Sequence, residues 1–122
     1  MPTNLFSKER RSFKFAFEGI VYVFKTQINF KIQLSLGVFA IIFAFILNFS
    51  SVEWAILLVC ICLVLSSELA NTAVESAVDL TTEEIHPKAK IAKDVSAGVV
   101  LIISIFVLIV GLVLYLPHIK FV

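Results

Sequence analysis

The sequence predicts an all-α membrane protein, with one amphipathic surface helix followed by three membrane-spanning helices. Of its 122 residues, 60% are hydrophobic, and the mean hydropathy is +1.03, whereas soluble domains are usually about 45–50% apolar. Long apolar segments follow one another through most of the chain. No segment alternates with the period of a strand, and an open sheet cannot satisfy its backbone in lipid. Residues 1–122 have room for a single domain.

The N-terminal segment, residues 6–28, has the period of an amphipathic helix. Its apolar side chains recur at i, i+4, i+7, i+8 and i+11 and share one face: Phe13, Phe17, Ile20, Val21 and Phe24. Charged side chains supply the remainder: Arg10, Arg11, Lys14, Glu18 and Lys25. A basic amphipathic helix is typical of the cytoplasmic bilayer interface. It either anchors the chain or forms a wall of a site that lipids enter, and these roles are compatible.

Three segments have the length and composition of spanning helices: residues 31–49, 52–80 and 87–117. A helix needs roughly 20 predominantly apolar residues to cross the hydrocarbon core. The third segment meets this requirement alone, and the first needs its flanks. The second reaches that length only by including Glu68 and Asn71.

The basic residues predict the orientation of these spans. One group precedes the first span: Lys8, Arg10, Arg11, Lys14, Lys25 and Lys31. Another lies between the second and third spans: Lys88, Lys90 and Lys93. The connection "NFSSVE" between the first two spans carries neither Lys nor Arg. The positive-inside rule therefore predicts that the N-terminus and the loop between spans two and three are cytoplasmic, with the C-terminus outside.

A polar stripe interrupts the second span. Glu68, Asn71, Glu75 and Asp79 are spaced i, i+3, i+7 and i+11, which places them on one side of a helix. A carboxylate in a spanning helix costs at least about 2.5 kcal/mol, so these groups must face protein, a cation or a wet cleft. The structural alternative is that they join helices together. Three like charges suit that role poorly because they repel one another, and we favour a functional site.

The start of the third span carries charges of both signs. Lys90 and Asp94 are spaced i, i+4, and Lys93 adjoins Asp94. Pro87 suits a first helical turn. Such a group can hold a divalent cation on its acids and a polyphosphate on its lysines and helix N-terminus. The alternative is lysines that snorkel to the bilayer edge, which we favour for Lys88 but not for Lys93.

Several other functions are disfavoured by what the sequence contains. A net charge of +1 argues against a nucleic-acid binder, and neither standard glycine-rich phosphate loop occurs. Cys60 and Cys62 lie in an apolar run and are interpreted as small hydrophobic residues. His86 and His118 are too few and too separated for a transition-metal site. We expect His86 to make a polar contact in the loop and His118 to face solvent.

The combination of "ELANTAVESAVDL", "TTEEIHPKAK" and "AKDVSAG" resembles the prokaryotic diacylglycerol kinase family of small integral membrane lipid kinases. The pattern E-x-x-N-[ST]-A-x-E-x-x-V-D followed by A-K-D carries the resemblance, which covers nearly the whole chain. The form "AVDL…HPKAKIAKD" is more similar to the undecaprenol kinase branch than to the enterobacterial diacylglycerol branch.

The resemblance implies a homotrimeric, ATP- and Mg²⁺-dependent kinase of the bacterial inner membrane, with active sites shared between subunits and a lipid alcohol as substrate. Glu68 matches the catalytic base and lipid contact, Asn71 its neighbour in the motif, and Glu75 a magnesium ligand. Ala97 matches a second lipid contact. The positions that match the nucleotide site are Glu75, Asp79, Glu84, His86, Lys93 and Asp94.

One position departs from the family pattern. The family usually has a second acidic metal ligand before the first span, where "TQINF" has Gln27. A glutamine offers magnesium a neutral oxygen without charge. This difference weakens the metal site, shifts metal binding to Glu75 or Asp79, or signals lower activity.

Two other functional hypotheses stay open. A small ion-coupled transporter would explain the intramembrane acids, although not the "AKD" cluster at the cytoplasmic edge. A catalytically weakened or inactive kinase homologue, acting as an assembly partner, would explain Gln27. The sequence itself does not distinguish undecaprenol from diacylglycerol as the lipid.

Overall fold

The computed structural model describes residues 4–81 and 84–119, and within these ranges the chain is helical with no strand. The helices are α1 (Leu5–Thr26), α2 (Ile28–Ile46), α3 (Ser51–Thr81) and α4 (Pro87–Tyr115), and a short 3₁₀ turn (Leu116–His118) follows α4. Three of the described helices, α2, α3 and α4, are long and apolar enough to cross a membrane. The prediction of an all-α protein with three spanning helices is therefore confirmed. A helix also occupies the predicted surface segment, and its location at an interface stays a prediction.

A side-chain cap explains where α1 begins, and an extended residue marks where it gives way to α2. The Asn4 side chain accepts a hydrogen bond from the Phe6 N–H at 3.3 Å and caps the first turn of α1. Gln27 has an extended backbone (φ −109°, ψ 110°) and separates α1 from α2. This single non-helical residue lets the chain change direction between the two helices.

Two further caps define the helices that carry the polar stripe and the lysines. Ser50 and Glu53 form a capping box before α3, with reciprocal hydrogen bonds of 3.1 and 3.2 Å. His86 caps α4, because its Nδ1 accepts from the Lys88 N–H at 3.1 Å, and Pro87 fills the first turn.

The second and third spanning helices are longer than a bilayer core. At 1.5 Å per residue, the 31 residues of α3 extend about 46 Å and the 29 residues of α4 about 43 Å. The hydrocarbon core is only about 30 Å thick. Each helix therefore leaves the hydrocarbon at one or both ends, so polar groups on its terminal turns need not lie in lipid.

Helix α3 is the centre of the bundle. It packs most extensively along α4 and next along α2, and α1 contacts both α2 and α3. The buried apolar cluster lies near the start of α3 and consists of Ala44, Phe49, Leu57 and Leu114. Many large apolar side chains along the spans remain exposed, as expected where the surrounding medium is lipid.

A group of polar and aromatic contacts, which we call the aromatic clasp, joins the end of α4 to the start of α3. It consists of Phe49, Glu53, Tyr115 and His118. The Phe49 ring stacks on His118, with centroids 5.0 Å apart, and lies 4.8 Å from Tyr115. The Tyr115 hydroxyl donates to the Ala40 carbonyl on α2. The clasp therefore ties three helices together at the end opposite to Asp79.

The expectation that His118 faces solvent is wrong. Its Nε2 lies 2.5 Å from Glu53 Oε2, and both side chains are only 25% exposed. The 3₁₀ turn after α4 folds the histidine back over Phe49, and this return of the chain is not visible in the local sequence. Asn48, in the left-handed region at φ 55°, helps to bring Phe49 into the same place.

Candidate active site

The polar stripe of α3 is graded from buried to exposed. Glu68 is only 4% exposed, Asn71 and Glu75 are half-buried, and the Asp79 side chain is 63% exposed. Their spacing keeps all four on one side of α3 over three turns. The buried member lies in the body of the bundle, and the exposed member lies at the end of the helix where α4 begins.

The buried part of the stripe faces a cavity of about 440 Å³ between α2, α3 and α4, which we call the acidic cavity. Of the predicted site residues, it brings together Glu68, Asn71, Glu75 and Ala97. The other side chains that line it are mostly polar near α2 and apolar along α4: Asn29, Ile32, Gln33, Val100, Leu101 and Ser104.

Two amide side chains hold the two glutamates of this cavity. Gln33 Nε2 on α2 donates to Glu68 Oε1 at 3.4 Å, and Asn71 Nδ2 donates to Glu75 Oε1 at 3.2 Å. Within the described part of the chain, Gln33 Oε1 and Asn71 Oδ1 are buried without a hydrogen-bond partner. A buried acceptor without a partner costs about 1–3 kcal/mol. The cavity therefore has two oxygens that a donor or a cation would stabilise.

A second cavity, of about 600 Å³, lies where α3 ends and α4 begins, and we call it the mixed-charge cavity. It brings together most of the residues predicted to contact a nucleotide: Asp79, Glu84, His86, Lys93 and Asp94. Lys90 and the apolar side chains Val78, Ile85 and Ala89 also line it. Cavities of this size are typical of sites for small molecules.

Of the two ion pairs in the mixed-charge cavity, one follows the sequence spacing and the other does not. Lys93 Nζ pairs with Asp79 Oδ1 across the two helices at 2.5 Å, whereas Asp94 pairs with Lys90 on its own helix at 2.5 Å. These side chains are 40–73% exposed, so the pairs contribute little to stability. The lysines can therefore exchange these partners for an anionic ligand at low cost.

The residues of the acidic cavity fit a magnesium ion, although only in part. Mg²⁺ is usually bound through one or two carboxylates together with substrate phosphates and water. Glu75 supplies a carboxylate, and the unpartnered Asn71 Oδ1 supplies a neutral oxygen beside it. Groups of three or more His, Cys, Asp and Glu side chains suited to a metal do not occur among residues 4–81 and 84–119.

Gln27, the predicted neutral metal ligand, lies at the junction of α1 and α2. Its backbone N–H donates to the Val23 carbonyl at 2.8 Å. Gln27 is not one of the described residues that line the acidic cavity. Its predicted contribution to a metal site stays a prediction.

Sequence reasoning missed Gln33, which touches the most deeply buried carboxylate. A signal was present, because Asn29 and Gln33 are polar, spaced i, i+4, and lie at the start of an otherwise apolar span. Both line the acidic cavity. A polar pair at helical spacing in a spanning segment indicates a face directed toward protein rather than lipid.

The fold and the site together define a helical membrane protein in which a stripe of carboxylates, graded from buried to exposed, leads to a lysine-bearing cavity. The sequence profile described as prokaryotic diacylglycerol kinase matches residues 14–115. The chain belongs to the prokaryotic diacylglycerol kinase family, which confirms the predicted family of lipid kinases.

Individual relatives carry two different names. The chain is 47% identical over 107 residues to the diacylglycerol kinase of Synechocystis sp., covering 87% of this chain and 61% of that protein. It is 38% identical over 107 residues to the undecaprenol kinase of Bacillus subtilis, covering 88% and 87% of the two chains. A diacylglycerol kinase of Helicobacter pylori is 35% identical over 100 residues, covering 80% of this chain and 78% of the relative. The match thus spans about three fifths of the Synechocystis protein and most of the other two.

Proposed function

We propose that this protein is an ATP- and Mg²⁺-dependent kinase that transfers the γ-phosphate to the hydroxyl of a membrane lipid alcohol. The alcohol is undecaprenol, or diacylglycerol with phosphatidic acid as the product. One observation carries the proposal: a single face of α3 supplies Glu68 to the acidic cavity and Asp79 to the mixed-charge cavity. A buried site for an alcohol and an exposed site for a nucleotide therefore adjoin along one helix.

Glu68 is the proposed general base. It is the most deeply buried carboxylate of the stripe, where a lipid hydroxyl can approach from the bilayer. As the hydroxyl oxygen forms its bond to the γ-phosphorus, its proton passes to Glu68 and the bond from the γ-phosphorus to the β-phosphate oxygen breaks, which releases ADP. Phosphoryl transfer requires mainly such positioning together with charge neutralisation.

Glu75 and Asn71 are the proposed holders of magnesium. Both side chains lie on the stripe between Glu68 and Asp79, Asn71 Nδ2 donates to Glu75, and the Asn71 Oδ1 atom has no partner among the described residues. Bound Mg²⁺ supplies neutralisation of the charge on the β- and γ-phosphates. Gln27 is the proposed neutral ligand in place of the family's second acid.

The mixed-charge cavity is the proposed nucleotide site. Lys93 binds the phosphates in exchange for Asp79, its present partner. Asp79, Glu84, His86 and Asp94 surround the rest of the nucleotide, and Glu75 would hold the magnesium ion that accompanies it. The Nδ1 atom of His86 is occupied by its cap on α4, so its Nε2 is the atom available to the nucleotide.

The proposed setting is the bacterial inner membrane. The N-terminus and the α3–α4 connection are cytoplasmic and the C-terminus is outside, an orientation that the positive-inside distribution of lysines and arginines supports. Helix α1 lies in the cytoplasmic interface, in keeping with the exposed Phe13, Phe17 and Phe24. Assembly as a homotrimer with sites completed by a neighbour is in keeping with the incomplete ligand set for magnesium.

Two alternatives remain, and each has a feature that distinguishes it. An ion-coupled transporter would use the acids of α3, but it gives no role to the lysines of the mixed-charge cavity or to the family relationship. A weakened kinase is motivated by Gln27 alone.

The decisive experiment incubates the purified protein with labelled ATP, Mg²⁺ and a panel of lipid alcohols in mixed micelles or liposomes. We expect label to appear in one alcohol, which identifies the substrate. The result that contradicts the proposal is no labelled lipid together with ATP-independent ion uptake into liposomes. Full turnover with Gln27 in place would exclude the weakened-kinase alternative.

A further inference from the structure

The chain has two histidines, and they lie at opposite ends of α4. His86 precedes the helix as its N-cap, and His118 follows it in the 3₁₀ turn that belongs to the aromatic clasp. Histidine is the side chain whose charge ordinarily changes between about pH 5 and pH 8. Both ends of this spanning helix are therefore held by groups that respond to pH in that range.

The contact that His86 makes requires an uncharged ring. Its Nδ1 accepts a hydrogen bond from the Lys88 N–H at 3.1 Å, so the proton of the neutral ring is on Nε2. A second proton can go only to Nδ1, where it turns the acceptor into a donor and removes the cap. The added charge also lies at the positive end of the α4 dipole. Protonation of His86 therefore loosens the first turn of α4.

The charged groups around His86 carry both signs and largely offset one another. Those that line the mixed-charge cavity with it are Asp79, Glu84, Lys90, Lys93 and Asp94. The side chain of Lys88 lines an adjoining cavity together with the ring. Four of these groups form two ion pairs, and Glu84 and Lys88 add one charge of each sign. Loss of the capping bond therefore sets the direction of the response.

The contact that His118 makes has the opposite requirement, because its Nε2 lies 2.5 Å from the carboxylate oxygen Oε2 of Glu53. A protonated ring makes this contact a charge-assisted hydrogen bond, which is roughly twice as strong as a neutral one. Glu53 is fixed in place, since its Oε1 accepts from the Ser50 N–H. The other titratable group of the clasp, Tyr115, donates its hydroxyl to the Ala40 carbonyl. Protonation of His118 therefore strengthens the clasp.

We propose that α4 is a pH-responsive helix whose start is held by an uncharged His86 and whose end is held by a charged His118. In the proposed orientation, His86 faces the cytoplasm and His118 lies at the outer surface. Both contacts are strongest when the outer medium is more acidic than the cytoplasm. Acidification of the cytoplasm weakens the first contact, and an alkaline outer medium weakens the second. This response depends on the proposed orientation but on none of the proposed catalytic roles.

The test measures amide hydrogen exchange at both ends of α4 by mass spectrometry, with the whole protein in nanodiscs. Protection factors corrected for the intrinsic exchange rate report the opening of each end separately. Between about pH 8 and about pH 5.5, we expect protection in residues 88–92 to fall about fivefold. Protection in residues 49–54 and 116–119 should rise about threefold over the same range.

Two matched variants keep a polar partner at each end and remove its titration. His86→Asn retains a strong N-cap, and His118→Gln retains an amide beside Glu53. In His86→Asn we expect the pH dependence of residues 88–92 to disappear, while that of the clasp stays as in the unmodified protein. In His118→Gln the reverse should hold.

Three results overturn the proposal. Changes of protection in the same direction at both ends of the unmodified protein contradict the opposed requirements, and so does protection that is independent of pH. A pH dependence that persists at one end after its own histidine is replaced assigns that response to another group. Should a variant not fold, the unmodified protein decides alone, because opposite changes at its two ends are required. Exchange needs no ATP, so the outcome is separate from that of the kinase assay.

The sides of the membrane are assigned in intact cells with a membrane-impermeant maleimide. Single cysteines are introduced as Ser51→Cys and Lys88→Cys in a chain that also carries Cys60→Ala and Cys62→Ala. We expect Ser51→Cys to be labelled in intact cells and Lys88→Cys only after lysis. The reverse pattern would place His86 outside and overturn the predicted preference for an acidic outer medium.

Discussion

The two ends of the α3–α4 pair are built on opposite electrostatic principles. At the aromatic clasp, Glu53 and His118 are paired, and the Tyr115 hydroxyl has a carbonyl partner. Toward the other end, Glu68 and Glu75 share one face of α3 and repel each other, and two buried amide oxygens have no partner within the described residues. The clasp groups have partners within the protein, whereas a donor or a cation would stabilise the end that carries Glu68 and Glu75.

This difference assigns stability and function to separate regions. A site that binds charged ligands is left electrostatically incomplete, because groups already satisfied within the protein gain little from a ligand. The completed clasp then holds the helices in register from the far end. Substitutions at the two ends should therefore separate activity from stability.

The largest effect is expected from Glu68→Gln, compared with Glu53→Gln at the clasp. Removing the proposed base should lower kcat by about 10³-fold, while the unfolding midpoint stays the same or rises because a buried charge is removed. Glu53→Gln should lower the midpoint with little change in kcat. The measurements are turnover in mixed micelles and thermal unfolding in the same detergent. Similar losses of kcat in both variants would contradict the assignment of activity to one end and stability to the other.

A somewhat smaller effect is expected from Glu75→Gln, because the amide keeps the shape of the side chain but removes its charge. The Mg²⁺ concentration for half-maximal activity should rise at least about tenfold, with partial recovery of kcat at high Mg²⁺. Gln27→Glu is the matched variant with added charge and should lower that concentration. An unaltered Mg²⁺ dependence in folded Glu75→Gln contradicts its assignment as the metal ligand.

Lys93→Ala should act on the nucleotide rather than on the lipid. We expect the KM for ATP to rise about tenfold, with a smaller change in the KM for the alcohol, because Lys93 lies in the mixed-charge cavity and not in the acidic cavity. Lys88→Ala is the control, since this lysine contacts His86 through its backbone N–H. Equal effects of the two substitutions would mean that the lysines act only as general surface charge.

The smallest effect on activity is expected from His118→Ala, which removes the contact of His118 with Glu53 and its stacking on Phe49. The unfolding midpoint should fall by a few degrees, and kcat and both KM values should stay near those of the unmodified protein. Differential scanning calorimetry alongside the kinase assay measures both. A large loss of kcat at full stability would show that the clasp communicates with the active site.

The positions of the four polar stripe residues were predictable because all of them lie on one continuous helix, α3. The i, i+3, i+7 and i+11 spacing placed Glu68, Asn71, Glu75 and Asp79 on one side of α3, and their gradient of burial follows the same order. The pairing of Lys93 with Asp79 was harder to predict from the sequence. Asp94 is the neighbour of Lys93 along the chain, whereas the observed partner lies on another helix.

The clasp and Gln33 were not predictable in the same way. The interaction of His118 with Glu53 joins residues 65 positions apart, and that of Gln33 with Glu68 joins residues 35 apart. Each depends on the rotation of one helix against another. A change of one residue in register turns a side chain by about 100° and would direct it elsewhere.

The sequence by itself determined the helical class, the number of spans and the face of α3 that carries the acids, because hydropathy and helical period are local properties of the chain. Only the tertiary structure decided that Gln33 holds Glu68, that Lys93 pairs with Asp79 and that Gln27 lies outside the lining of the acidic cavity. These are contacts between helices, and they depend on how the helices pack at their small residues and rotate about their axes.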